Sequence, residues 1–103
     1  MIESTFLIPL TKNKSGETHS SELWARFNDE LCSTFGGFSK DMSYVYGQWT
    51  DDTGEVISDY SQKYMVALDL DRTEELKELL AKYKLFFKQE CIYLSILGQV
   101  YFI

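Results

Sequence analysis

From Ser4 to Leu10 the chain alternates, with Phe6, Ile8 and Leu10 on one face and Leu7 on the other. That is the period of a strand, and Pro9, which has no amide hydrogen to give a ladder, marks its end. The run TKNKSGET supplies turn residues. Within SSELWARFNDELCSTF, Leu23, Phe27 and Leu31 recur at helical spacing beside Trp24 and Phe35, while Glu22, Arg26, Asp29 and Glu30 stay off that stripe. Ser20 reads as the N-cap and Gly36-Gly37 as the left-handed stop. From Ser39 to Trp49, Met42, Tyr44 and Tyr46 alternate against Val45 and Trp49, a strand rich in aromatic residues. TDDTGE then reads as a hairpin loop, with Asp51, Asp52 and Thr53 in a turn and Gly54 in the left-handed position after it. The returning strand strengthens toward Tyr64, Val66, Leu68 and Leu70, and its first half is looser. Asp71 and Glu74 have capping-box spacing ahead of Leu76, Leu79, Leu80, Tyr83, Phe86 and Phe87, which predicts a second helix running to about Gln89. Ile92, Leu94 and Ile96 close the pattern as a strand with little polarity on either face.

The predicted order is strand, helix, strand, strand, helix, strand. Two right-handed crossovers joined by a hairpin give a ferredoxin-like βαββαβ fold of the α+β class, a four-stranded antiparallel sheet with two helices on one face. Its strand order, 4-1-3-2, puts the closing strand at an edge. Edges usually carry charges, prolines or bulges, and Cys91 to Leu97 carries none. Either Gly98-Gln99 turns the chain so that Val100 to Ile103 pairs back as a short fifth strand, or another subunit covers the edge. Leu7, Met65, Ala67, Tyr93 and Leu97 share the parity that points away from the helices, and a sheet face that apolar is more often buried than wet.

Composition narrows the picture. The 103 residues make one domain, 1–103, large enough to fold without staples. Net charge is −6 and the pI is near 4.6, so the average field repels phosphate backbones and anionic lipid. Nucleic acid is disfavoured as a partner. The terminal apolar run is too short to span a bilayer, which needs about 20 helical residues. Cys32 and Cys91 have no CxxC or Cys/His neighbours, and the amino-terminal run lacks the basic segment and length of a signal peptide. A reduced, cytoplasmic protein is expected.

Each candidate for chemistry has a simpler reading. Asp52-Thr53-Gly54 matches the aspartic-protease triplet, but GQWTD precedes it where such a site needs an apolar strand, so turn chemistry explains it. Asp69, Asp71, Glu74 and Glu75 offer oxygen ligands for a hard cation, yet they also suit the first turn of a helix. His19, the one histidine, lies in a polar segment with no GxSxG-type motif, and reads as solvated or capping. No catalytic residue, metal site or cofactor motif emerges. Tyr44, Tyr46, Trp49 and Tyr93 are the candidate binding residues, an aromatic surface suited to protein contact if all four lie on the open side of the sheet.

FLIPL, the helix ending in FGGFS, GQW before the hairpin, YMVALDL and FKQECIYLS together resemble a group of short bacterial α+β proteins of unknown function. The resemblance covers most of the chain. It implies a ferredoxin-like fold and supplies no activity and no site residues. The expected function is therefore a non-enzymatic interaction module associating through its sheet, with itself as a homodimer or with another protein. Two alternatives stand beside it: a small dimeric enzyme with a hydrophobic pocket between sheet and partner, using tyrosine hydroxyls and His19, and an acidic inhibitor of a basic protein site.

Overall fold

A computed structural model describes all residues, 1–103. It comprises β1 (Ile2–Pro9), α1 (Ser21–Phe35), β2 (Ser39–Lys40), β3 (Val45–Thr50), β4 (Val56–Leu68), α2 (Thr73–Phe86), β5 (Tyr93–Ile96) and β6 (Gln99–Phe102). A 3-10 turn, Leu70–Arg72, precedes α2. The strands form one antiparallel sheet in the order β2-β4-β1-β5-β6, and β3 pairs with the first half of β4.

Both helices cover one face. The inward positions of the strands, Phe6 and Ile8, Tyr64, Val66 and Leu68, Leu94 and Ile96, share one core with Phe27 and Leu31 of α1 and Leu76, Leu80 and Tyr83 of α2. Phe27 is its centre, with ring centroids 4.8 Å from Tyr83, 5.3 Å from Tyr64, 5.4 Å from Phe87 and 6.0 Å from Phe6. Truncating a buried phenylalanine of this kind costs about 3–5 kcal/mol, a large part of a small domain's stability. Ser4 Oγ donates to the Val66 carbonyl at 2.8 Å and Tyr64 Oη to Asn28 Oδ1 at 2.7 Å, whereas Nδ1 of the buried His19 has no partner. Burial raises the Tyr64 phenol well above its ordinary value, so it stays a donor.

The first helix follows its sequence signals: Ser20 Oγ accepts from the Leu23 amide at 3.1 Å, and Gly36 takes φ 88° at the end. Four other expectations are corrected. The Ser39–Trp49 strand breaks between Lys40 and Val45, where the Ser43 amide turns back onto Asp41 Oδ1 and the buried Gln62 side chain donates to the Asp41 carbonyl in place of a ladder bond. Asp71 is not an N-cap, because the 3-10 turn occupies that position and Arg72 flanks the helix without a side-chain cap. The second helix stops at Phe86, followed by Lys88 at φ 55°, rather than reaching Gln89. The apolar ribbon is not at the edge: β5 lies between β1 and β6, and the main-chain pairing continues to Ile92 and Ile103, which exchange bonds of 3.1 and 3.0 Å. The chain covers its own ribbon, which removes the reason for a second subunit there.

That reversal depends on a two-residue turn, Leu97 at φ 52° and Gly98 at φ 77°, both in the left-handed region that suits a tight hairpin. Leucine is strained in this conformation by roughly 1–2 kcal/mol, whereas asparagine tolerates it. Leu97 is exposed. Leu97→Asn is expected to stabilise the fold by about 0.5–1 kcal/mol, raising the thermal midpoint by several degrees. An unchanged or lowered midpoint in calorimetry would show that the leucine side chain makes contacts outweighing its strain.

Candidate functional site

The first half of β4 and its partner β3 run beyond the helices as a hairpin, so Val56, Ser58 and Tyr60 on the helix side are exposed, while Ile57 and Asp59 on the other are half-buried. Alternation continues through it. Trp49 lies opposite Ile57 and Gly47 opposite Asp59, and these point away from the helix side; Tyr46 and Gln48, opposite Tyr60 and Ser58, point toward it. Against the first face lies the segment after β1, itself a small hairpin closed by pairing of Thr11 with Thr18 and by the Lys12 amide donating to the Glu17 carbonyl at 2.7 Å. The segment after α2 completes the enclosure. Its Gln89 side chain donates to the Thr11 carbonyl at 2.8 Å, and the Asn13 amide donates to the Lys88 carbonyl at 2.9 Å.

Between these three segments is a cleft of about 190 Å³, lined by Pro9, Thr11 to Lys14, Gly16, Trp49, Ile57 to Asp59 and Gln89 to Cys91. It is smaller than the roughly 300–1,000 Å³ of most small-molecule pockets, so a ligand of ordinary size would enter with one end only.

Its charges are ordered. Lys14 reaches Asp51 Oδ2 at 3.3 Å and Glu90 Oε1 at 4.0 Å, and Lys12 pairs with Glu17 at 2.7 Å. Asp59 has no cationic partner. Its Oδ2 accepts from the Trp49 indole N–H at 3.3 Å, which fixes the carboxylate beside the ring. Cys91 is no activated nucleophile: desolvation of the thiol against the cleft wall, then the nearby Glu90 and Asp59 charges, raise its pKa, although part of the residue is open to solvent.

Asp51 governs the hairpin tip. Its Oδ1 accepts from the Thr53 hydroxyl at 2.6 Å and from the Thr53 and Glu55 amides at 2.9 and 3.0 Å, and the Gly54 amide donates to the Asp51 carbonyl with Gly54 at φ 86°. The Asp52-Thr53-Gly54 triplet is thus turn chemistry. The Thr53 hydroxyl foremost, with those amides and Lys14, holds the Asp51 carboxyl at about 2.

The four aromatic candidates do not form one surface. Trp49 lines the cleft. Tyr93, on the same side of the sheet, packs on Phe102 of β6 at 6.0 Å. Tyr46 points to the other side, where it packs on Tyr60 at 5.2 Å and its hydroxyl donates to Ser58 Oγ and accepts from Gln48. Tyr44 lies in the break before β3, beside Leu10, Trp24 and Gln62. The strand break shifts Tyr44 out of the alternation, and strand parity separates Tyr46 from Trp49. His19 is corrected too: it is buried between Trp24 and Phe87, its Nε2–H donates to the Pro9 carbonyl at 2.9 Å, burial lowers its pKa, and its side chain does not line the cleft. The four acids near α2 are dispersed, with Glu75 on Arg72 and Glu74 on Lys77. Asp59 gives no motif signal in the sequence because it sits in the loosely patterned half of its strand; counting alternation back from Tyr64 places it opposite the core face, on the side of Trp49.

No protein-family model matches the chain, and no curated protein matches its sequence. Solved structures do match its fold. A phage SAM lyase in complex with S-methyl-5'-thioadenosine superposes with a TM-score of 0.75 at 17% identity, covering 99% of this chain and 88% of the other. A phage SAM lyase in its apo state gives a TM-score of 0.62 at 16% identity, covering 99% and 87%. At this identity the likeness shows the fold alone. It nevertheless overturns the non-enzymatic module expected from the sequence and favours the small-enzyme alternative, because both of these matching structures are SAM lyases. The exposed edge on which the expected association rested is filled by β6. No helix is long and apolar enough to cross a membrane.

Because the Asp51 pKa is depressed in the fold, its contribution to stability is complete above the unfolded value of about 4 and is lost as pH falls through about 2. Asp51→Ala should therefore lower the urea midpoint at pH 6, and the gap to wild type should close below pH 2. A gap of constant size across that range would mean that Asp51 acts through packing and not through its charge.

Proposed function

We propose that this chain is a ferredoxin-like enzyme that cleaves S-adenosylmethionine (SAM) at a carbon–sulfur bond and releases S-methyl-5'-thioadenosine. The observation that carries this reading is the agreement of the whole chain with the phage SAM lyase fold. The strand order, with both helices on one face and β6 as an added strand, supports the ferredoxin-like description. Two free cysteines fit a reduced, cytoplasmic setting, where SAM is available.

The cleft suits the chemistry. Release of the thioether breaks the bond between sulfur and the methionyl Cγ, and the bonding pair moves to sulfur, which loses its positive charge. A lyase adds no water. The substrate's own carboxylate can attack Cγ, closing a lactone in which one C–O bond forms as one C–S bond breaks, with no proton gained or lost. That route asks nothing of a protein base, which fits a chain whose single histidine is buried and tied to Pro9. It asks instead that the carboxylate be folded back onto Cγ and that water be kept out, because charges of opposite sign annihilate in the transition state and a poorly polar wall favours that. Trp49, Ile57 and Pro9 provide such a wall over part of a lining that is otherwise largely polar.

Purified protein incubated with SAM is expected to yield S-methyl-5'-thioadenosine and a lactone by mass spectrometry, with no 18O from labelled water in the freshly formed lactone. Trp49→Ala should lower kcat/KM by on the order of 10-fold or more through lost contact with the substrate. No thioadenosine product at protein concentrations comparable to substrate would overturn the proposal.

A further inference from the structure

Gly47 is a glycine that its backbone does not require. Its φ is not in the left-handed region, and a Cβ built there meets one atom within 4 Å, Asp59 Oδ1 at 3.7 Å. Across the β3–β4 pair, Asp59 therefore faces a position with no side chain, while its other oxygen is fixed by the Trp49 indole. The neighbouring cations are engaged elsewhere, Lys14 with Asp51 and Glu90, Lys12 with Glu17. A half-buried carboxylate without a counter-ion, held in orientation and left uncovered on one side, is built to receive a cation.

We propose that Asp59, seen through the gap over Gly47, is the subsite for the α-ammonium group of the substrate's amino-acid end. The inference rests on the SAM-cleaving reading and deepens it. Two cations compete for the role, and the energetics choose between them. The sulfonium charge disappears in the reaction, so a carboxylate on sulfur would favour bound substrate over the transition state and slow the step. The ammonium keeps its charge throughout and leaves with the four-carbon product. An ion pair to it holds equally in ground and transition states, anchors the methionyl chain while its carboxylate turns onto Cγ, and gives the enzyme no hold of this kind on S-methyl-5'-thioadenosine, which lacks an ammonium group.

S-adenosylhomocysteine keeps the ammonium but has a neutral, unreactive sulfur, so it separates recognition from reaction. Calorimetry is expected to show it binding at least about 10-fold tighter than S-methyl-5'-thioadenosine, a margin within the range of one charge-assisted hydrogen bond. Asp59→Asn should erase that margin by weakening the first ligand alone, and Gly47→Val, whose Cβ would stand 3.7 Å from Asp59 Oδ1 and whose methyls would fill the gap, should do the same. Ethylammonium, followed by the Trp49 indole N–H resonance, probes the subsite without any nucleoside: it should shift that resonance saturably in wild type and not in Asp59→Asn. Far-ultraviolet dichroism and the Trp24 indole resonance check that both variants are folded. If SAM is cleaved while Asp59→Asn leaves the KM for SAM and the affinity for S-adenosylhomocysteine unchanged, the subsite is wrong and the reaction stands. If ethylammonium binds as described and SAM is not cleaved, the ammonium site stands and the reaction falls.

Discussion

The register of β4 is the constraint on which the rest of the molecule depends. Thirteen residues run as one strand, and their two halves do different work. The second half places Tyr64, Val66 and Leu68 in the core against both helices, with Phe6 and Tyr64 stacked 5.2 Å apart. The period of a strand is two, so this anchoring decides which way every residue of the first half points. Ile57 and Asp59 fall on the side opposite the helices, and pairing with β3 brings Trp49 and Gly47 to the same side. A slip of one residue would bury Lys63 and Met65 and turn the cleft residues to the other face. The stability of the core thus fixes a carboxylate that itself makes no core contact.

The cleft draws on three segments far apart in sequence, and polar bonds hold them where apolar packing is thin. Gln89 reaches Thr11, Asn13 reaches Lys88, and Lys14 reaches across to Asp51 at the hairpin tip. Ion pairs in such exposed places contribute little free energy, and their main effect is on position. They occupy the lysines, which leaves Asp59 as the carboxylate free to meet a ligand. Asp51, with its oxygen taken by Thr53 and two amides, belongs to the scaffold despite its charge.

The proposed reaction, in which two opposite charges cancel, asks for position more than for proton transfer, and the cleft sets Trp49, Ile57 and Pro9 beside the carboxylate of Asp59. Little proton traffic is needed, which accords with the absence of any catalytic histidine or protease-like motif in the sequence. The features that make the sequence unrevealing, scattered acids and aromatics without a motif, are those such chemistry would use.

Much of the architecture was legible along the chain. The Ser20 cap and Gly36 stop bounded the first helix, the Asp51 to Gly54 turn was readable from residue chemistry, and the α+β order followed from periodicity, since each rests on local backbone preferences. For Val100 to Ile103 the sequence allows two solutions, with any turn expected at Gly98-Gln99; the turn falls one residue earlier, at Leu97-Gly98, and long-range pairing alone decides between the solutions. The break at Asp41–Tyr44, the burial of His19 and the division of Tyr44, Tyr46, Trp49 and Tyr93 among different surroundings lay beyond local reading. Each depends on what packs across from a residue: Gln62 replacing a ladder bond, Trp24 and Phe87 closing over an imidazole, and β4 setting the parity of β3. By itself the sequence determined the elements and their class; only the tertiary structure decided which side chains share a space, because alternation tells two faces apart but not which of them a neighbouring segment will cover.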